Sequence, residues 1–116
     1  MQELEDFEQC ARRLKALADP ARLRILDCLF GGAKNVSDLA SQLDDEVVKI
    51  SHHLGVLRSA GLVEARRSGR FVEYAVHPDV SVCEDRSGIV KSIDLGCCRL
   101  DLDERKHTRR RAGHGT

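Results

Sequence analysis

The chain has 116 residues, room for one domain of ordinary size, and 41% of them are hydrophobic, enough for a core. Only 3% are aromatic, so that core must be Leu, Val, Ile and Ala, and no run approaches the roughly 18 apolar residues that span a bilayer. The net charge is zero, yet residues 47–77 carry five basic and two acidic side chains and the last twelve residues five basic and none acidic, so a neutral total does not exclude a polyanionic partner.

The start, Met1-Gln-Glu-Leu-Glu-Asp, is acidic and unlike a secretion signal, which leads us to expect a cytoplasmic protein with reduced thiols. Residues 3–17 set Leu4, Phe7, Ala11, Leu14 and Leu17 at spacings of three or four, which predicts an amphipathic helix. Asp19-Pro20 joins an N-cap acid to a proline at the first helical position. A second helix over about 20–30 should bury Leu23, Leu26 and Leu29 or Phe30 and end at Gly31-Gly32. Asn35 or Ser37 can cap a short third helix whose apolar stripe is Val36, Leu39, Ala40 and Leu43. Asp44-Asp45 gives a turn and a new N-cap, and a fourth helix runs to about Ala60. That helix should bury Val47, Ile50, Leu54 and Leu57, with Gly61 as its C′ residue.

The period then changes to two. Residues 62–67 and 70–76, joined through Ser68-Gly69, read as a β-hairpin with Val72, Tyr74 and Val76 on one face, and His77-Pro78-Asp79 breaks it. Residues 92–102 alternate more like a strand than a helix. The expected organisation is one domain over residues 1–104, α+β but mainly helical, followed over 105–116 by a basic, disordered tail without apolar periodicity.

Two helices separated by a tight turn and followed by a hairpin form a winged helix-turn-helix: four helices, a wing and a short C-terminal element. A helix presented in this way fits the major groove, where base edges are distinguishable. On the fourth helix Lys49, Ser51, His52, His53 and Arg58 offer donors to bases or phosphates. Arg66, Arg67 and Arg70 make the hairpin tip basic, suited to the minor groove or flanking phosphates. A winged helix can also serve as a protein-docking module, but three arginines on an exposed hairpin call for an anionic partner. The sequence holds no Cys-x-x-Cys and no nucleotide-binding glycine loop, which argues against an enzyme.

Several runs carry a family resemblance. Leu17-Ala-Asp-Pro-Ala-Arg-Leu-Arg-Ile-Leu26, Val36-Ser-Asp-Leu-Ala40, Ile50-Ser-His-His-Leu-Gly-Val-Leu-Arg-Ser-Ala-Gly-Leu-Val63 and the Arg-Ser-Gly-Arg wing resemble the ArsR/SmtB family. The likeness implies a dimeric winged-helix repressor, of a kind often released from DNA by metal ions, arsenicals or thiol oxidation. It puts Ser51 and His52 on the DNA-facing side of the recognition helix and Arg70 on the wing. The chain departs from the family at Val47-Val48-Lys49, where polar residues are common. It also lacks paired cysteines at the third helix, which reads Asn35-Val-Ser-Asp-Leu, and it lacks the spaced His and acid of a last-helix zinc site.

Five cysteines, an odd number, fit free thiols, ligands or redox sensors better than a disulfide framework. Cys28 lies in an apolar run and reads as core, whereas Cys10 borders the stripe of the first helix. Cys83, Cys97 and Cys98 lie in polar segments and are the candidate metal ligands. Neighbouring side chains diverge on a strand or a helix, so Cys97 and Cys98 can hold one ion only if the backbone bends, and Gly96 can supply the bend. The expected partners are a double-stranded palindromic operator and a second copy of the chain, with no membrane. The stripe of the first helix and Ile93, Leu95, Leu100 and Leu102 are expected at the two-fold contact. No cofactor is required; a thiophilic metal or metalloid ion, or an oxidant, is the expected inducer.

Overall fold

A computed structural model describes residues 2–101, with side chains from Asp6 onward. Expectations for the tail, for the side chain of Leu4 and for Leu102 fall outside the described residues. The order of elements is α1 (Gln2–Leu17), α2 (Pro20–Leu29), β1 (Lys34–Asn35), α3 (Val36–Leu43) and α4 (Val47–Ser59), then β2 (Val63–Ser68), β3 (Phe71–Val76), β4 (Ser81–Glu84), β5 (Val90–Asp94) and β6 (Arg99–Asp101).

Each helix begins where its capping chemistry allows. The Asp19 carboxylate accepts hydrogen bonds from the Ala21 and Arg22 amides, and Pro20 opens α2 where no intrahelical donor is lost. Asn35 accepts from the Asp38 amide at 2.8 Å and starts α3. Asp44 is not a cap of α4 but closes α3, with a left-handed backbone at φ 52°; α4 begins after Glu46, with no side-chain hydrogen bond at its cap. Gly61 ends α4 at φ 77°.

The helix-turn-helix is α3 and α4, joined through residues 44–46. The wing is the β2–β3 hairpin, with β1 on the other edge of β3, in a sheet of order β1-β3-β2. Ser68 pairs with Phe71 across the two-residue loop Gly69-Arg70, where Gly69 takes φ 63° as type II′ turns require at their first position. Residues 92–94 and 99–101 are strands, as their alternation suggests, and they belong to a second three-stranded antiparallel sheet, β4-β5-β6.

One core unites both halves. Leu17, Ile25, Leu26, Leu39, Ile50, Leu54, Leu57, Leu62 and Val63 pack in one cluster with Val80, Val90, Ile93 and Leu95 of the second sheet region. Ile93 and Leu95 are therefore covered within the chain, against the expectation that they await a two-fold mate. Two residues expected in the core are exposed, Leu23 at 43% and Val47 at 51%; Phe7 at 71% and Leu14 at 39%, of the stripe expected at the two-fold contact, are exposed as well. On α1 the inward face is instead Arg13, Ala16 and Leu17, because this side meets α2, α4 and the turn after β5.

Candidate nucleic-acid interface and thiol cluster

The expected DNA-contacting residues divide between faces. Ser51 and His52 are exposed on α4, whereas His53 is half-buried, its Nδ1 3.4 Å from Arg22 Nη1. Arg22 is a structural anchor. It donates to the Ala16 carbonyl and lies 3.8 Å from Asp19, joining the end of α1, the start of α2 and α4. Partial burial raises the pKa of Asp19, but hydrogen bonds from the Arg22 and Ala21 amides and the electrostatic influence of Arg22, with a smaller one from His53, outweigh it and leave it lowered. Lys49 pairs with Glu46 at 3.4 Å, and Arg58 is exposed in the last turn of α4. Arg66 and Arg67 are exposed neighbours on β2, so they leave its opposite faces, and Arg70 sits in the loop itself.

The cysteines converge at one place. Leu95 and Cys98 close the β5–β6 connection, the Leu95 amide donating to the Cys98 carbonyl at 2.8 Å. Gly96 and Cys97 form its two-residue loop, with Gly96 at φ 88° and its amide bonded to Asp94 Oδ1. This is the bend that lets adjacent cysteines face one point. Cys97 forms a disulfide with Cys10 of α1, 87 residues earlier, and Cys98 Sγ lies 3.3 Å from Cys10 Sγ. The three sulfur atoms all lie within 4.8 Å of one another.

The expected trio of Cys83, Cys97 and Cys98 is not assembled: Cys83 is exposed on β4, and the third sulfur is that of Cys10. Cys10 was half-legible, since its place beside the α1 stripe left it open between core and surface. Cys28 is a free, half-buried thiol whose pKa is raised by burial and by the Asp27 charge, against a smaller opposing effect of Lys34. A raised pKa keeps it protonated and a poor nucleophile.

Arg13 was not foreseen. It lies one helical turn beyond Cys10 and is only 5% exposed. Its Nε donates to the Ala60 carbonyl at 3.3 Å, its Nη1 donates to the Leu95 carbonyl, and its Nη2 is 3.7 Å from Asp79 Oδ2. One guanidinium thus ties the end of α4 to the start of the cysteine turn. Both glycines beside it make room: a Cβ on Gly61 would stand 3.1 Å from Arg13 Nη2, and one on Gly96 3.3 Å from Nη1.

Comparison with known proteins agrees with this architecture. Residues 19–65 match the profile of the bacterial regulatory protein, arsR family. The transcriptional repressor SdpR of Bacillus subtilis is 38% identical over 66 residues, 57% of this chain and 73% of that protein. The HTH-type transcriptional regulator NmtR of Mycobacterium tuberculosis is 45% identical over 69 residues, 60% of this chain and 58% of that protein. Among solved structures, the homodimeric winged helix-turn-helix DNA-binding domain of a possible ArsR-family regulator from Mycobacterium bovis is 39% identical. It superimposes with a TM-score of 0.62 over 65% of this chain and 69% of that one. With its helix-turn-helix, basic wing and this likeness, the chain belongs to the arsR family of bacterial regulatory proteins and is a DNA-binding transcriptional regulator, not an enzyme.

Proposed function

We propose that the protein is a homodimeric repressor that holds a palindromic operator while its thiols are reduced and free. It lets go when a thiophilic ion or an oxidant engages Cys10, Cys97 and Cys98. The observation that carries this reading is the convergence of three sulfurs from α1 and the β5–β6 loop within 4.8 Å. Thiolates are soft donors that select thiophilic metals and metalloids over hard cations. Among the described residues no histidine or carboxylate joins the group, so the donor set fits a soft ion held by three sulfurs. Such an ion requires all three thiolates, whereas a Cys10–Cys97 disulfide takes two of them; ligation and oxidation are therefore alternative states of one site. Oxidation removes two electrons and two protons from the thiol pair and passes them to the oxidant.

Arg13 gives the site a route to DNA. It holds the Leu95 carbonyl next to the cysteine loop and the Ala60 carbonyl at the end of α4, so a shift of the loop is transmitted to α4. The coupling required is modest: about 3 kcal/mol of differential affinity changes operator binding more than a hundredfold. Ser51 and His52 would read bases, with Lys49, His53 and Arg58 at the edges of α4, while Arg66, Arg67 and Arg70 would bind phosphates. The chain would act in the cytoplasm, where its DNA lies and thiols stay reduced; no helix of the described residues is long and apolar enough to cross a membrane.

The test is DNA binding by the purified, reduced protein on duplexes it selects from random sequence, repeated with thiophilic metal ions, arsenite and diamide. Wild type should release DNA with at least one of these. Serine variants at Cys10 or Cys97 should bind DNA but lose release by every inducer, Cys98→Ser should lose release by metal ions and arsenite but keep it with diamide, and Cys83→Ser should respond like wild type. Full release from a Cys10→Ser/Cys97→Ser/Cys98→Ser variant would overturn the reading.

A further inference from the structure

A groove runs between α1 and α4, and its rim is cationic. Arg12 and Lys15 of α1 face Ser51, His52 and Ser59 of α4 across it, with Gly55 on the α4 side, and no carboxylate lines it. Arg22 also reaches the groove, but its guanidinium is occupied by Ala16, Asp19 and His53. Arg12 and Lys15 are exposed and form no ion pair among the described residues.

The faces of α1 explain why these two cations are free. Arg13, Ala16 and Leu17 point into the protein, and Phe7, Ala11 and Leu14 form a separate exposed apolar stripe. Arg12 and Lys15 occupy a third face, which neither packing nor the apolar stripe employs.

Gly55 provides an independent observation. It lies in the interior of α4, where glycine is among the poorest helix formers. A Cβ built there would meet nothing within 4 Å, and its φ is not in the left-handed region. Nothing within the chain requires glycine at this position. A bare backbone beside two free cations and two serine hydroxyls suits the close approach of an anionic chain.

We infer that a DNA sugar-phosphate backbone enters the α1–α4 groove, with Arg12 and Lys15 binding phosphates and Gly55 allowing the approach. The groove is continuous with the Ser51–His52 face of α4, so α4 would be gripped from the α1 side as well as through the wing. The inference rests on the chain being a DNA-binding regulator, and through Arg12 and Lys15 of α1 it adds contacts outside both the helix-turn-helix and the wing.

The test uses the full chain and a mixed-sequence 30-base-pair duplex, with affinity measured across a salt series. An Arg12→Ala/Lys15→Ala variant should lose about 1.8 per protomer from the slope of log K against log salt, about 0.9 for each phosphate contact. An Arg86→Ala/Arg99→Ala variant, equal in charge but altered on the second sheet, should lose less. Gly55→Ala should melt at a higher temperature yet bind DNA more weakly, and Gly55→Leu should weaken binding at least tenfold while remaining folded by circular dichroism. The proposal is overturned if the Arg12/Lys15 variant matches the charge control, or if Gly55→Leu binds like wild type. In either case an Arg66→Ala/Arg67→Ala/Arg70→Ala variant that still loses affinity leaves the wider DNA-binding reading intact. Failure of the wild type to bind any duplex would defeat both.

Discussion

Asn35 shows how much one side chain decides. Its carboxamide accepts from the Asp38 amide, one of the donors that α3 would otherwise leave unsatisfied. Asn35→Ala should cost about 1 kcal/mol, lowering the melting temperature by about 4–8 °C; an unchanged melting curve would show that the cap contributes nothing. Asp19 caps α2 in the same way, but it titrates. Its folded pKa is lowered, so it contributes stability above the unfolded carboxylate pKa and loses that contribution as pH falls through the folded value. Asp19→Asn keeps the acceptor and removes the charge. The gap in melting temperature between wild type and this variant should therefore be widest near neutral pH and shrink on acidification below about pH 4. A pH-independent gap would mean that the charge is not what matters. Both caps were legible because capping is local chemistry. Cys10 was legible only in part, because the cysteine it pairs with lies 87 residues away.

Helices and hairpins share this contrast between local and distant causes. Asp19-Pro20, Gly61 and Ser68-Gly69 mark boundaries through backbone preferences that act within a few residues, and those boundaries stand close to where the sequence puts them. The inward face of α1 could not be read in the same way. Its apolar residues Phe7, Ala11 and Leu14 mark the stripe expected at the two-fold contact and say nothing of the opposite side, where the turn after β5 brings the Leu95 carbonyl to the Arg13 guanidinium. Arg13 is thus a consequence of the second sheet, whose packing is tertiary. Its replacement should be costly for a specific reason. Arg13→Met keeps an extended apolar stem but strips the donors from the Ala60 and Leu95 carbonyls, at about 1–3 kcal/mol for each acceptor left buried and unpaired. Urea denaturation should register that loss. Asp79→Asn is gentler, since Asp79 is largely exposed and the carbonyl contacts of Arg13 remain. It should preserve both stability and release from DNA. If Arg13→Met remains folded and still releases DNA in response to thiophilic ions, the proposed route from the cysteine loop to α4 is wrong.

Among the described residues, nothing covers the apolar stripe of α1. Phe7, 71% exposed, and Leu14, 39% exposed, lie two turns apart on one face with Ala11 between them. Scattered exposed apolar residues need no explanation, but a continuous stripe on a helix usually meets a partner. A second copy of the chain is the simplest occupant, since a two-fold axis sets the same stripe against itself; the similar domain from Mycobacterium bovis is homodimeric. Phe7 also lines the hollow that contains Cys10, Cys97 and Cys98, so the proposed sensing site would border the proposed dimer contact. A ligand there could alter the spacing of two α4 helices while touching neither. Placing like charges on the stripe, as in Phe7→Glu/Leu14→Glu, should give a monomer by sedimentation at micromolar concentration. It should stay folded by circular dichroism, because neither side chain belongs to the core, and melt at a lower temperature than wild type as the dimer's contribution is lost. Operator affinity should fall by about a hundredfold or more as the second half-site ceases to be held by the same molecule. The sulfurs remain in place in this variant, so it should still bind a thiophilic ion, now without a cooperative effect on DNA. A variant that sediments as a dimer would remove α1 from the two-fold contact and return the question to the exposed edges of the second sheet.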